Sequence, residues 1–328
     1  MLNYQSSNSI LRKLFYYSKN ILLLLIPNYF YRKRLHAILS QPLDKESELR
    51  AAYYFKYNNK IDLSKDAKNL NEIFINQLKK NKQNSHFFDF YNLIRFFNPI
   101  YKFDYIYNAS NYIDSAIAKN KSMFPIFVKS RPLNDNRNSI LLQVNKIKLF
   151  HFIEDKLSFD SKKNIAVWRG DARNNTIRSF FLEKYFNVEK FDIGQTNGDK
   201  SIPCYKNFLS IDNQLENKFI FCLEGKCIST NLFWAMSSNS ICVMPKPKYE
   251  SWFMEGKLIG DFHFIEVEND FSNAEEKINY FLKHPEKCLQ ILNNAHKFVE
   301  QFKNERKEKL IQLSILKRYL QLSGQYNE

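Results

Sequence analysis

Residues 219–245 read FIFCLEGKCISTNLFWAMSSNSICVMP, and this stretch decides the fold. Phe219-Ile220-Phe221-Cys222-Leu223 is an unbroken apolar run of strand length, which predicts a strand buried on both faces. Glu224-Gly225 ends it. Thr230 to Met236 carries a helical pattern, and Ile241-Cys242-Val243-Met244 is a second buried strand, stopped by Pro245. Strand, helix and strand in close succession make a parallel crossover unit.

The same alternation continues on both sides. Ile165-Ala166-Val167-Trp168 reads as a strand, Thr176 to Tyr185 as a helix and Phe191-Asp192-Ile193 as a short strand. Beyond Pro245, Phe264-Ile265-Glu266-Val267 is a strand, and Asn273 to Leu282 and Pro285 to Phe302 are helices. This is an α/β pattern with a parallel sheet, and such sheets bind ligands at the carboxyl ends of their strands. Six of the seven glycines lie between 170 and 260, and Gly170 and Gly225 stand just past strand ends. There the backbone must turn sharply and approach a ligand closely. Residues 45 to 125 are aromatic-rich and helical in period, with Pro99 and Pro125 as punctuation.

At about 150 residues per domain, 328 residues predict two domains. Apolar residues are 44% and charged residues 25%, which excludes a mostly disordered chain or a polytopic membrane protein. Net charge is +15, so anionic partners are favoured: nucleic acid, acidic lipid or a phosphorylated substrate. The five cysteines have neither paired nor zinc-ligand spacing and fit a reducing compartment. The first 43 residues hold no Asp or Glu but carry Arg12, Lys13, Lys19, Arg32, Lys33 and Arg34. Apolar residues recur there at helical spacing, and the longest run, Ile21 to Ile26, is far short of the roughly 20 residues that span a bilayer. Residues 1–40 therefore predict a basic amphipathic segment lying on an anionic membrane face.

Three segments carry chemistry. In VWRGDARNNTIR (167–178), Arg169, Arg173 and Arg178 surround a strand-to-helix turn, where guanidinium groups and helix amides together suit a phosphate. The competing reading of Arg169 is a salt bridge to an acid such as Asp171 or Glu224. In LEGKCISTNLFW (223–234), Glu224 is placed to accept bonds from sugar hydroxyls, and Gly225, Lys226, Ser229, Thr230 and Asn231 form a loop and helix start suited to a diphosphate. In PKPKYESWFMEGKL (245–258), Glu250 or Glu255 can meet hydroxyls, and Trp252 can wall a sugar.

Arg169-Gly170, Glu224-Gly225 with Ser229, Tyr249-Glu250 through Leu258, His263-Phe264 and Asp270 occur in an order and spacing that resembles glycosyltransferase family 90. The stretches FVKSRPLNDNRNSILL (127–142) and ISTNLFWAMSSNSICVMPKPKYESWFMEGKL (228–258) are most similar to its bacterial lipopolysaccharide core enzymes. The resemblance implies a GT-B-like fold, two Rossmann-like domains with a cleft between, after a helix-rich amino-terminal part. It implies an acceptor-side domain over 41–160, a nucleotide-sugar domain over 161–300 and a carboxyl-terminal helix over 301–328. It also implies inverting hexosyl transfer from a nucleotide sugar, UDP-linked, to a hydroxyl of a lipid-linked oligosaccharide core. The reaction would take place at the cytoplasmic face of the membrane without an obligatory metal. Two positions depart from the family pattern: Asn231 stands where eukaryotic relatives have Arg, and Tyr107 to Asn111 holds no acid. For the base, a carboxylate near the acceptor oxygen is required. Asp104, Asp114 and Asp135 are the candidates, Asp135 first. Lys129, Arg131, Glu250 and Trp252 are expected to contact acceptor or sugar. The alternative class is a basic nucleic-acid-binding protein without catalysis, for which the sequence offers no recognisable module.

Overall fold

The computed structural model describes residues 9–79, 84–105, 125–134, 136 and 138–326. It is a mixed α/β protein whose chain divides into two compact units.

The first unit comprises 1–12, 148–248 and 254–303. Its centre is a five-stranded, wholly parallel sheet of β1 (Lys163–Gly170), β2 (Phe191–Gln195), β3 (Asn217–Phe221), β4 (Ile241–Pro245) and β5 (Ile265–Val267). The strands lie side by side in the order 2-1-3-4-5. The middle strands β3 and β4 are mostly apolar, and Ala166, Phe219, Phe221, Val243 and Ile265 are fully buried. Continuous apolar strands are what a parallel sheet with covered faces requires. Five helices follow the strands: α1 (Thr176–Tyr185), α2 (Ile211–Leu215), α3 (Leu232–Met236), α4 (Ala274–Lys283) and α5 (Pro285–Glu300). Helix α1 packs on β2, and α5 packs on α3 and β4. Asn175 caps α1, its side-chain oxygen accepting the Arg178 backbone N–H at 2.9 Å. In this strand order the connections leave in opposite directions between β1 and β3, and that reversal opens a crevice at their carboxyl ends.

The second unit comprises 13–147, 249–253 and 304–328. It is helix-dominated, with helices Asn28–Leu39, Lys45–Tyr54, Leu70–Leu78, Ser85–Ile94 and Glu305–Leu322, and most of the helix Ser9–Leu24. Its strands pair in twos: Lys68–Asn69 with Lys102–Phe103, Ile126–Val128 with Ser139–Leu141, and Ser130–Pro132 with Tyr249–Ser251. The core is aromatic, and Tyr54 stacks on Trp252 with ring centres 3.8 Å apart. Inside it Arg50 makes a two-pronged bond to Glu308 (2.6 and 3.0 Å), and the Trp252 indole N–H donates to the same carboxylate. Burial pushes the Glu308 carboxyl up, against the opposing pull of Arg50.

Two features depart from the linear division into 1–40, 41–160, 161–300 and 301–328. Residues 13–40 are not a detached segment: Tyr16 and Leu35 are buried in the second unit, as is Asn20. The helix Glu305–Leu322 belongs to that unit too. A Rossmann-like sheet forms in the first unit. In the second, no sheet among the described residues exceeds two strands.

Candidate functional site

Sequence reading placed Arg169 free at the end of β1. The structure ties it down instead. Its Nη2 bonds both oxygens of Asp192 on β2 at 2.8 Å, Nη1 reaches the carbonyls of Trp168 and Asp192 (3.0 and 2.6 Å), and Nε reaches the Asn207 carbonyl (3.1 Å). All five guanidinium donors are engaged. A salt bridge therefore holds Arg169, and its partner is Asp192 rather than Asp171 or Glu224. Lys206 joins from the other side at 2.9 Å. Burial raises the Asp192 carboxyl, but the bonds from Lys206 and Arg169 outweigh it and hold the group below its ordinary range. Arg173 grips Asp171 in the turn beyond β1 and stays exposed, holding that carboxyl at about 2.

The guanidinium that reaches the crevice is that of Arg178. It donates to three backbone carbonyls where β1 and β3 have ended: Leu223 (2.8 Å), Glu224 (3.2 Å) and Asp171 (3.0 Å). Among the described residues it is in no ion pair, and burial alone pulls its pKa down. Sequence reading named it but left it out of the donor set. The signal was its place in the first turn of α1, because helical side chains lean toward the amino end. At Gly225 the loop runs close under this guanidinium. A Cβ there would lie 3.1 Å from Arg178 Nη2.

Beside this cation lies a cleft with apolar walls. Ile228, Leu232, Met244, Pro245 and Phe271 line it, Cys222 and Leu223 enter from the end of β3, and Ser229, Lys246 and Lys248 supply polar groups. Two carboxylates also line it, Glu224 and Glu255. Glu224 Oε1 accepts the backbone N–H of Lys248 at 3.0 Å, which ties the loop after β3 to the loop after β4. Met254, in left-handed backbone at φ 59°, opens the short turn Glu255–Lys257 that carries Glu255. Of the two acids offered for hydroxyls by the 245–258 segment, the structure brings Glu255 to the cleft and not Glu250.

The helix expected from Thr230 begins later and is short. It runs Leu232–Met236, and Asn231 makes no side-chain cap. Asn231 instead bonds the Phe221 carbonyl (2.9 Å) and accepts the Ser229 hydroxyl. Lys226 and Thr230 are exposed on the same loop. The cations at the cleft are Lys246 and Lys248 in its lining, with Arg178 next to it on the carbonyls of Leu223 and Glu224.

A family model, glycosyl transferase family 90, matches residues 145–324. The chain is also similar to a protein described as the O-glucosyltransferase LpsA of Dichelobacter nodosus. The two are 32% identical over 318 residues, covering 94% of this chain and 96% of that protein. The chain belongs to glycosyltransferase family 90. The cleft between the ends of β3 and β4 is therefore read as part of a glycosyltransferase, and lies inside the matched residues.

The acceptor-side residues lie elsewhere. Strand pairing sets Arg131 opposite Glu250, and the two form a fully buried ion pair at 2.8 Å. Arg131 also bonds the carbonyls of Tyr53, Tyr54 and Ser139, and the Tyr53 hydroxyl donates to Glu250. Trp252 is wholly buried against Tyr54, and Lys129 is 6% exposed. Arg131, Glu250 and Trp252 hold the core of the second unit and have no surface to offer a sugar. Asp104 is also buried, accepting the Ser64 N–H (3.1 Å), the Ser64 hydroxyl and the Tyr319 hydroxyl (3.4 Å). These bonds hold it in the core of the second unit, which argues against it as a base that must meet an acceptor. Asp114 and Asp135 lie outside the described residues. His263 is spent locally, its Nδ1 accepting the Ile259 N–H at 3.0 Å, and Asp270 accepts the Ser272 N–H at 2.9 Å.

Proposed function

We propose that this family 90 glycosyltransferase moves a hexose, glucose by analogy with its O-glucosyltransferase relative, from a UDP-linked donor to a hydroxyl of a lipopolysaccharide core acceptor, with inversion. The observation that carries the donor reading is the cleft at the carboxyl ends of β3 and β4. Its apolar walls suit a base, the Glu224 and Glu255 carboxylates suit ribose or sugar hydroxyls, and Arg178, Lys246 and Lys248 put positive charge where a diphosphate would lie. In the same reading the protein is GT-B-like, with the parallel-sheet unit as donor domain, and works at the cytoplasmic face of a membrane.

The chemistry is a single displacement. A carboxylate takes the acceptor proton, the acceptor oxygen attacks the anomeric carbon from the face opposite the nucleotide, and the carbon–oxygen bond to the diphosphate breaks. The leaving diphosphate is stabilised by the cations of the cleft. With Asp104 held in the core, the base is Asp135 or Asp114, Asp135 first. Asp135→Asn and Asp114→Asn test this. One of them should keep donor binding and lose about 10²–10⁴-fold in turnover, and near-normal turnover in both would place the base elsewhere.

Calorimetric titration of the purified protein with UDP-, GDP- and CMP-sugars tests the donor assignment. Saturable binding of a UDP-hexose is expected. Absence of binding by every nucleotide sugar would overturn the reading.

A further inference from the structure

The helix Ser9–Leu24 and its successor Asn28–Leu39 turn two different faces to their surroundings. On the first helix, Tyr16 and Asn20 point inward, Tyr16 bonding Asp89 (2.7 Å) and Asn92 bonding Asn20 (2.7 Å). The connection between the helices is clamped by Arg95, whose guanidinium bonds the Leu23 carbonyl, the Ile26 carbonyl and the Asn28 side chain. At about 100° per residue, the face opposite Tyr16 and Asn20 holds Leu14, Ile21, Leu22 and Leu25. Leu14, Leu22 and Leu25 are 66%, 63% and 76% exposed. Tyr29 and Phe30 extend this apolar surface past Pro27, each more than half exposed.

Such a surface on an ordered, clamped helix pair calls for a covering partner. Charge decides which one. Lys13 and Lys19 flank the apolar face, Lys33 and Arg34 are exposed on the second helix, and the chain has no acid before Asp44. No helix among the described residues is long and apolar enough to cross a bilayer. We propose that this face lies in the interface of an anionic phospholipid bilayer, with Leu14, Ile21, Leu22, Leu25, Tyr29 and Phe30 at the acyl boundary and the basic residues among the head groups. Apolar burial and head-group attraction then add, as in other interfacial helices. The face is part of the second unit's own packing, so it anchors that unit directly and not through a tether.

The test is flotation of the full chain with phosphatidylcholine vesicles, with and without phosphatidylglycerol. The wild type should float with the anionic vesicles and stay behind with neutral ones. Leu22→Gln with Leu25→Gln, and separately Lys33→Glu with Arg34→Glu, should each lower the bound fraction about tenfold or more. These side chains are exposed, so thermal melting should be unchanged. Leu289→Gln, an exposed leucine on α5, should bind like the wild type. Wild-type flotation by both double variants would overturn the proposal. So would a dimer in solution that Leu22→Gln with Leu25→Gln converts to monomer, which would give the face to a second copy. Donor affinity measured without lipid is independent of this outcome.

Discussion

Two arginines nine residues apart, Arg169 and Arg178, are held in different ways. Arg169 spends every donor on β1, β2 and Asp192, whereas Arg178 rests on backbone carbonyls at the crevice without a carboxylate contact. Arg169→Ala should therefore lower stability by about 1–3 kcal/mol and leave nucleotide-sugar affinity intact below the melting temperature. Arg178→Ala should lower that affinity tenfold or more, the loss of a charged phosphate contact worth about 1.5–3 kcal/mol. Melting curves and calorimetry on both variants decide this, and an equal loss of affinity in Arg169→Ala would mean that its guanidinium turns to the ligand. Asp192 carries a pH signature. Its carboxyl is held below the ordinary value, so its stabilisation is complete above the unfolded pKa of about 3.9 and is lost as pH falls through the lower folded one. The stability gap between wild type and Asp192→Asn should be constant from about pH 7 to 5 and close below about pH 4. A gap that widens on acidification would contradict the assignment.

At the scale of elements, the strand pair Ser130–Pro132 and Tyr249–Ser251 depends on one buried ion pair, Arg131–Glu250. Removing one partner strands the other charge in the core. Arg131→Ala should destabilise by about 3–5 kcal/mol, and pairing Arg131→Met with Glu250→Met should recover most of that, because two apolar groups leave no orphan charge. Chemical denaturation of the three variants measures it, and a double variant less stable than Arg131→Ala would show that the pair contributes far more than it costs to bury. This pair also marks where the sequence became opaque. The strands at the middle of the parallel sheet were legible because their centres are buried on both faces and read as apolar runs, while the outer strands, FDIGQ and IEV, were placed by the alternation with helices. The capped helix Thr176–Tyr185 was legible from local spacing alone. Nothing local marks Ser130–Pro132 as a strand, because its partner lies more than a hundred residues away and a charged residue gives no sign of being buried. The same blindness put Arg131, Glu250 and Trp252 in a sugar site. At the cleft, the place of Glu224 just past β3 could be read from the apolar run before it, while the approach of Arg178 depends on the direction in which a helix leans its side chains.

On the scale of the whole molecule, a net charge of +15 bears on how the leaving diphosphate of the proposed reaction would be neutralised. A positive protein field raises the local concentration of an anionic donor, and cations at the site replace part of what a divalent metal would otherwise supply. Arg178, Lys246 and Lys248 supply that charge at the cleft. Three acids on or just after the strands are already engaged: Asp192 by Arg169 and Lys206, Asp171 by Arg173 and Asp270 by the Ser272 N–H. Turnover should therefore persist in EDTA. Donor affinity should instead fall several-fold as salt rises from about 0.05 to 0.5 M, since Lys246 and Lys248 are exposed and the screening length is about 10 Å at 0.1 M. A metal-bridged diphosphate would give the opposite pair of results, with activity lost to the chelator and restored by manganese. In that event Glu224 and Glu255, the two carboxylates that line the cleft, become the ligands to test, and Glu224→Gln should then weaken the response to manganese before it weakens binding of the nucleotide.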